Sequence, residues 1–294
     1  MDTVFKIKRI TVLGAGTMGQ TIAYLFSENG IPTTLYDADN RVIDDMISKR
    51  GLHENLKLTK RLETAVSESD LIVESVPEIF NIKREVFLTI APHVKQHAII
   101  ASNTSSFPLH VLSEGLPFSQ RMMLIHFFNP ADLIPLVELV KPAAMADAIV
   151  NDLISLLKTC GKVPVLLKRD INGFIANRLQ AALLREACNL LQQGVAEVSD
   201  IDTVVKQSIG LRWALNGPFE ITDLGGLDVW EKVLTNILPD LDNTTSVPLS
   251  INQLVNNNNL GLKTNKGFYD YPQSASNQAV LQREKLARLL KDIK

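Results

Sequence analysis

Apolar and polar positions change places along the chain with two different periods. Short apolar, largely β-branched runs fall at residues 7–13, 32–36, 71–76 and 98–102, with a weaker one at 55–60. Such unbroken runs predict buried strands, while the 3.6-residue spacing between them, at 41–50 and 81–90, predicts helices. Two more β-like runs, R-M-M-L-I-H-F-F from Arg121 and P-L-V-E-L-V from Pro135, are separated by a short connection, then come a helix over 147–159 and a strand over 163–167. Past residue 170 almost everything reads as helix: 175–193, 199–209 and a last amphipathic run at the end of the chain. Alternating strand and helix predicts an α/β, doubly wound parallel sheet over residues 1–170, and the helical remainder a second, all-α domain over 171–294.

The first strand runs into G-A-G-T-M-G, placing Gly14, Gly16 and Gly19 at the G-x-G-x-x-G spacing with Thr17 and Met18 between the last two. Gly14 permits a tight turn, Gly16 lets backbone N–H groups approach a pyrophosphate, and Gly19 with Ala23 allows the following helix to pack closely. The helix N-terminus supplies unpaired donors and partial positive charge. The second apolar run ends in Asp37, 18 residues after Gly19, where a carboxylate meets the adenosine ribose and repels a 2′-phosphate. Strand, glycines and acid together predict a dinucleotide site, with NAD preferred over NADP despite the nearby Arg41.

If the two β-like runs beyond Arg121 form an antiparallel hairpin centred near Asp132, His126 faces Glu138. Alone, a histidine in an apolar strand reads more often as a satisfied core residue than as a catalytic one. A glutamate on an otherwise apolar strand is costly unless paired, and an adjacent imidazole pairs it. S-N-T-S, from Ser102 to Ser105, falls at the carboxyl end of a strand, where it serves as a polar cap or faces a ligand.

Composition narrows the class. The chain is 46% hydrophobic and 21% charged with a net charge of -2, so no basic footprint for nucleic acid is present. No apolar run of about 18 residues predicts a membrane span, and the N-terminal stretch lacks a signal-like apolar core. Cys160 and Cys188 fit reduced, packed thiols of a cytoplasmic protein, and no cluster with metal-ligand spacing is seen, so no metal is expected.

Taken together, G-A-G-T-M-G, D-L-I-V-E-S-V-P-E, S-N-T-S-S, H-F-F-N-P, G-F-I-A-N-R, G-P-F-E and G-F-Y run nearly end to end and resemble the 3-hydroxyacyl-CoA dehydrogenase family. That resemblance implies a Rossmann NAD domain, a 6-phosphogluconate-dehydrogenase-like helical domain that makes a homodimer contact, and NAD-dependent oxidation of (S)-3-hydroxyacyl-CoA, short-chain, in fatty acid metabolism. It further implies His126 as the catalytic base with Glu138 its partner. Ser105 and Asn177 are implied as holders of the substrate oxygen, and Glu78, Lys83 and Asn103 as cofactor-side contacts.

The sequence also departs from the family. Only 32 residues separate Asp37 from Asp70, where CoA-using relatives carry a longer helical insertion that helps cover the CoA nucleotide. Shorter relatives act on free hydroxy compounds such as L-gulonate, carnitine or a hydroxymethyl pyridine carboxylate, and Arg212 is a candidate carboxylate partner. Asn172 stands where proline is usual, and Asn265 where glycine is, in a position asparagine tolerates. A nucleotide-binding protein without catalysis is the third reading, and the four intact catalytic positions oppose it.

Overall fold

The computed structural model describes residues 6–271 and 275–292. The first five residues, part of the stretch read above for a signal, lie outside the described residues. The chain divides into two compact units, Met1–Ala176 and Asn177–Lys294. The expected division, near residues 168–172, falls slightly earlier; residues 174–176 belong with the first unit through contacts described below.

The first unit is built on eight strands: β1 (Ile10–Leu13), β2 (Thr33–Tyr36), β3 (Leu56–Thr59), β4 (Leu71–Glu74), β5 (Ile99–Ser102), β6 (Met122–Phe127), β7 (Leu136–Val140) and β8 (Val163–Leu166). Their order across the sheet is β3-β2-β1-β4-β5-β6-β7-β8. All neighbours are parallel except β6 and β7. The chain walks outward from β1 to β3 and returns to the other side of β1 with β4. This reversal opens a crevice at the carboxyl ends of β1 and β4, where doubly wound sheets bind their ligands.

Among the described residues, six helices wrap this sheet: α1 (Thr17–Glu28), α2 (Asn40–Arg50), α3 (Leu62–Val66), α4 (Phe80–Ile90), α5 (Leu109–Ser113) and α6 (Asp147–Thr159). Alternate strand residues face opposite ways, so the sheet feeds two cores. Val12, Val73, Ala101 and Ile125 pack with Ile22 and Phe26 of α1 and with Leu153 and Leu157 of α6. Leu13, Ile72, Ile100 and Leu124 pack with Val66 of α3, Phe87 of α4 and Leu112 of α5. Burial on both faces explains why these strands read as continuous apolar runs rather than alternating ones.

The β6–β7 hairpin has the expected register: Ile125 opposes Leu139 and His126 opposes Glu138. A one-residue slip would have sent these side chains to opposite faces.

The second unit contains α7 (Ala176–Gln192, which begins at the last residue of the first unit), α8 (Val198–Val204), α9 (Gly210–Trp213), α10 (Pro218–Gly225), α11 (Leu227–Ile237), α12 (Leu249–Asn256) and α13 (Ala275–Asp292). The helix expected over 199–209 is interrupted by a wider, π-type turn at Val205–Ile209. Asn265 adopts the left-handed conformation anticipated for it, with φ 57°. Cys160 and Cys188 are both free and buried. Among the described residues no helix is long and apolar enough to cross a membrane, and no group of three His, Cys, Asp or Glu side chains could hold a metal ion.

Candidate active site

A cleft of about 610 Å³ lies at the crevice, lined by Gly14, Gly16, Thr17, Met18, Asp37, Glu78, Lys83, Asn103, Ser105 and His126 among others. Residues scattered over more than a hundred positions meet there because they lie near the carboxyl ends of the strands, in the loops that follow, or in the first turn of the next helix.

Gly14 and Gly19 stand where a side chain has no room. Gly14 has φ 98°, and a Cβ on it would sit 2.7 Å from the Ser75 carbonyl oxygen. A Cβ on Gly19 would come within 1.8 Å of the Gly14 carbonyl oxygen, so the close approach of α1 to the β1 turn tolerates no side chain. A Cβ on Gly16 would meet nothing within 4 Å, which leaves open space at the N-terminus of α1 for a phosphate group. Asp37 closes the other end. Its Oδ2 accepts from Ala15 N–H at 2.6 Å and its Oδ1 from Asp39 N–H at 2.8 Å, which fixes the carboxylate at the tip of β2. Arg41 is paired with Asp39 at 2.8 Å. These residues fit a dinucleotide's pyrophosphate and adenosine ribose.

The centre of the cleft rests on a charged network only partly visible in the sequence. Glu74, at the end of β4, is fully buried and accepts from Lys83 Nζ at 2.8 Å, Ser102 Oγ at 2.5 Å and Val76 N–H at 2.8 Å. Burial pushes its carboxyl above the usual range, against the pull of Lys83. Lys83, itself buried, reaches Glu78 at 3.1 Å with the same ammonium. Glu78 Oε1 then accepts from Thr104 Oγ at 2.5 Å, from the Ser105 and Ser106 N–H groups at 3.0 and 3.1 Å, and from Ser106 Oγ at 2.8 Å. Burial raises the Glu78 carboxyl, but the Thr104 bond, the Lys83 charge and the Ser106 bond outweigh it and bring the pKa down to about 2. Glu78 and Lys83 therefore line the cleft while binding together the loops after β4 and β5. The β5 loop carries Ser105 and Asn103; Asn103 Oδ1 accepts from Phe127 N–H at 2.9 Å, bracing β6.

A carboxyl held near 2 and ordinarily titrating at 4.5 favours the folded state above pH 4.5, and that contribution is lost as pH falls toward 2. Glu78 is partly exposed, so solvent screening reduces the effect to the order of 1 kcal/mol. Acid titration followed by circular dichroism should show Glu78→Gln losing less stability than the parent between pH 4.5 and 2. Parallel titration curves would contradict this.

On β6 and β7, His126 Nδ1 lies 3.0 Å from Glu138 Oε2, with both side chains buried. Glu138 Oε1 accepts from Ile175 and Ala176 N–H at 2.9 and 3.0 Å. Burial raises the Glu138 carboxyl, but the bonds from His126, Ala176 and Ile175 outweigh it, so the group is held below the usual carboxylate range. An ionised carboxylate only accepts, which makes Nδ1 the protonated nitrogen and leaves the Nε2 lone pair as the basic site of the neutral ring.

Several cleft residues were not singled out from sequence: Ser75, Phe128 and Asn129. Ser75 stands within D-L-I-V-E-S-V-P-E, and Phe128 and Asn129 within H-F-F-N-P, which is the one signal available for each. Asn177 opens the second unit and Arg212 lies exposed on α9 of that unit.

A crevice with a glycine-rich turn, a fixed carboxylate at the end of β2 and a buried His–Glu pair has the make-up of a nucleotide-dependent dehydrogenase. The family model "3-hydroxyacyl-CoA dehydrogenase, NAD binding domain" matches residues 9–53 and 48–171, and "3-hydroxyacyl-CoA dehydrogenase, C-terminal domain" matches 173–271. The chain belongs to the 3-hydroxyacyl-CoA dehydrogenase family; it is an oxidoreductase and its cofactor is NAD. It is 31% identical to 5-formyl-3-hydroxy-2-methylpyridine 4-carboxylate 5-dehydrogenase of Mesorhizobium japonicum, covering 97% of this chain and 96% of the relative. It is 33% identical to the mitochondrial hydroxyacyl-coenzyme A dehydrogenase of Homo sapiens, covering 90% and 91%. A crystal structure of the pyridine-carboxylate 5-dehydrogenase, described as an NAD+-dependent dismutase, superposes with a TM-score of 0.91 at 30% identity over 98% of each chain. The (S)-3-hydroxybutyryl-CoA dehydrogenase of Ralstonia eutropha gives 0.72 at 27% identity, over 91% of this chain and all of that one.

Proposed function

We propose that the protein oxidises a short-chain (S)-3-hydroxyacyl-CoA to the 3-oxoacyl-CoA, with His126 as the base and Glu138 as its partner. The observation that carries this is the buried 3.0 Å contact between His126 Nδ1 and Glu138 Oε2 beside a dinucleotide cleft. Bound NAD supplies the hydride acceptor at the reacting carbon. Nε2 of His126 takes the hydroxyl proton, and Glu138 fixes the ring tautomer and stabilises the imidazolium that results. Ser105, held by Glu78, and Asn177 are assigned to orient the substrate oxygen. Gly14, Gly16, Thr17, Met18, Gly19 and Asp37 hold the pyrophosphate and adenosine ribose, with Asn103, Glu78 and Lys83 shaping the nicotinamide end. In the reducing direction the imidazolium returns the proton to the oxygen.

A second reading, the same oxidation on a small free hydroxy acid, is favoured by two observations. The connection from β2 to β3 holds α2 alone, 11 residues long, so the insertion that covers a CoA nucleotide in longer relatives has no counterpart. The higher TM-score with the pyridine-carboxylate enzyme runs the same way. One assay separates them: NADH absorbance is followed on adding acetoacetyl-CoA and then a panel of free oxo acids. Consumption with the thioester supports the first reading and consumption with free acids alone replaces it with the second. Good NADH binding with no consumption would sink both.

The assembly is assigned as a homodimer. Between residues 177 and 292, Cys188 is the one buried residue among those described, while Phe219, Leu224 and Leu215 are 85%, 77% and 72% exposed. Helices carrying so many uncovered large apolar side chains are completed by a partner, here a second copy. Sedimentation at twice 32.5 kDa is the expected result and a monomer at micromolar concentration would refute it. The two separate free thiols support a reducing compartment, and the protein is assigned to the cytoplasm.

A further inference from the structure

Phe174 is the residue whose conformation the assigned chemistry leaves unexplained. Its φ is 51°, and the other non-glycine residues with positive φ among those described are Asn258 and Asn265. Asparagine enters the left-handed region readily, whereas an aromatic side chain there is strained. Strain of this kind persists where surrounding contacts over-determine it, and it clusters at working sites.

Two sets of contacts hold Phe174 in place. Its ring is buried, 1% exposed, with its centroid 5.1 Å from the His126 ring and the two planes 42° apart. Phe128, from the loop after β6, meets the same imidazole at 4.4 Å and 53°. The backbone supplies the second set. Gly173 at φ 75° and Phe174 at φ 51° are successive left-handed residues, and the turn they make delivers the Ile175 and Ala176 N–H groups to Glu138 Oε1. One residue therefore touches the imidazole through its ring and directs the donors to that imidazole's carboxylate through its backbone.

We propose that Phe174 is a positioning residue: its ring and its left-handed backbone together fix the plane of His126 and the seat of Glu138. A residue that only filled the core would adopt a relaxed conformation and could be exchanged for another apolar side chain of similar bulk. Here the imidazole meets flat aromatic surfaces, and a branched aliphatic chain in place of Phe174 would leave the ring free to rock about its χ2 axis. A rocking base spends less time aligned with the hydroxyl, so turnover falls while the nucleotide cleft is untouched.

The inference rests on His126 being the base, and the experiment keeps the two apart. Phe174→Leu and His126→Gln are made in the full chain, and kcat, NADH affinity, thermal midpoint and the His126 Nδ1–H signal in ¹⁵N-histidine NMR are measured for each. For Phe174→Leu the expected result is a fall in kcat of about tenfold, an NADH affinity within about twofold of the parent, and broadening of the Nδ1–H signal. Unchanged kcat with an unchanged Nδ1–H signal overturns the proposal. So does a parallel fall in kcat, NADH affinity and thermal midpoint, which is the behaviour of a packing residue. If Phe174→Leu does not fold, Phe174→Met is measured in its place; failure of both to fold assigns Phe174 to the core and overturns the proposal. Wild-type turnover by His126→Gln removes the base assignment instead, and the NMR signal then still reports whether Phe174 orders the ring.

Discussion

His126→Gln should lower kcat by about a thousandfold, roughly 4 kcal/mol of barrier, while NADH binding stays within about twofold of the parent. The size follows from what the imidazole does in this site. The hydroxyl proton must leave as the hydride leaves, and the glutamine side chain has no lone pair basic enough to receive it. Glu138 would be left buried with its two backbone donors but without its ring partner. Binding survives because the groups assigned to the pyrophosphate and adenosine ribose are anchored independently of β6: Asp37 by Ala15 and Asp39, the α1 N-terminus by the glycine turn. A stopped-flow measurement with a consumed substrate, beside fluorescence titration with NADH, checks both halves. Equal loss of turnover and binding would mean that the side chain builds the cleft rather than acting in it.

Gly19→Ala should do the reverse and remove the cofactor site itself. The added Cβ would lie 1.8 Å from the Gly14 carbonyl oxygen, and that contact is with backbone, which cannot rotate away. α1 must retreat from the turn, so the N–H groups at its start no longer converge on one point. Overpacking of this kind costs about 2 to 3 kcal/mol of stability, and NADH affinity should fall by at least about a hundredfold, roughly 2.7 kcal/mol. Gly16→Ala is the control, since its Cβ meets no protein atom within 4 Å. It should leave the thermal midpoint unchanged while weakening NADH binding, because the space it enters is the space assigned to the pyrophosphate. A Gly19→Ala protein with parental stability and affinity would show that the helix is not packed as described.

Much of this site is legible in the sequence because its parts sit at predictable places on a doubly wound sheet. A glycine turn after β1 and an acid at the end of β2 follow from spacing, and the hairpin arithmetic that set His126 opposite Glu138 follows from the two-residue period of strands. Lys83 and Glu78 were visible as residues but not as a network. Their partner Glu74 looked like one more residue of a buried strand, and nothing local signals that Ser102 and Lys83 will converge on it. Phe174 was hidden for a similar reason: a left-handed aromatic is decided by the bonds its neighbours make to Glu138, which is distant in sequence. The helical unit shows a different limit. The amphipathic pattern of α7 is plain, but periodicity marks an apolar face without saying which molecule covers it.

The measurement that bears most directly on the whole account is a crystal structure with NADH bound. The nicotinamide ring should lie in the cleft between the Ser105 loop and His126, with the imidazole Nε2 opening onto the side from which substrate approaches C4. A nicotinamide placed outside this cleft, or one separated from His126 by packed side chains, would contradict the assigned reaction.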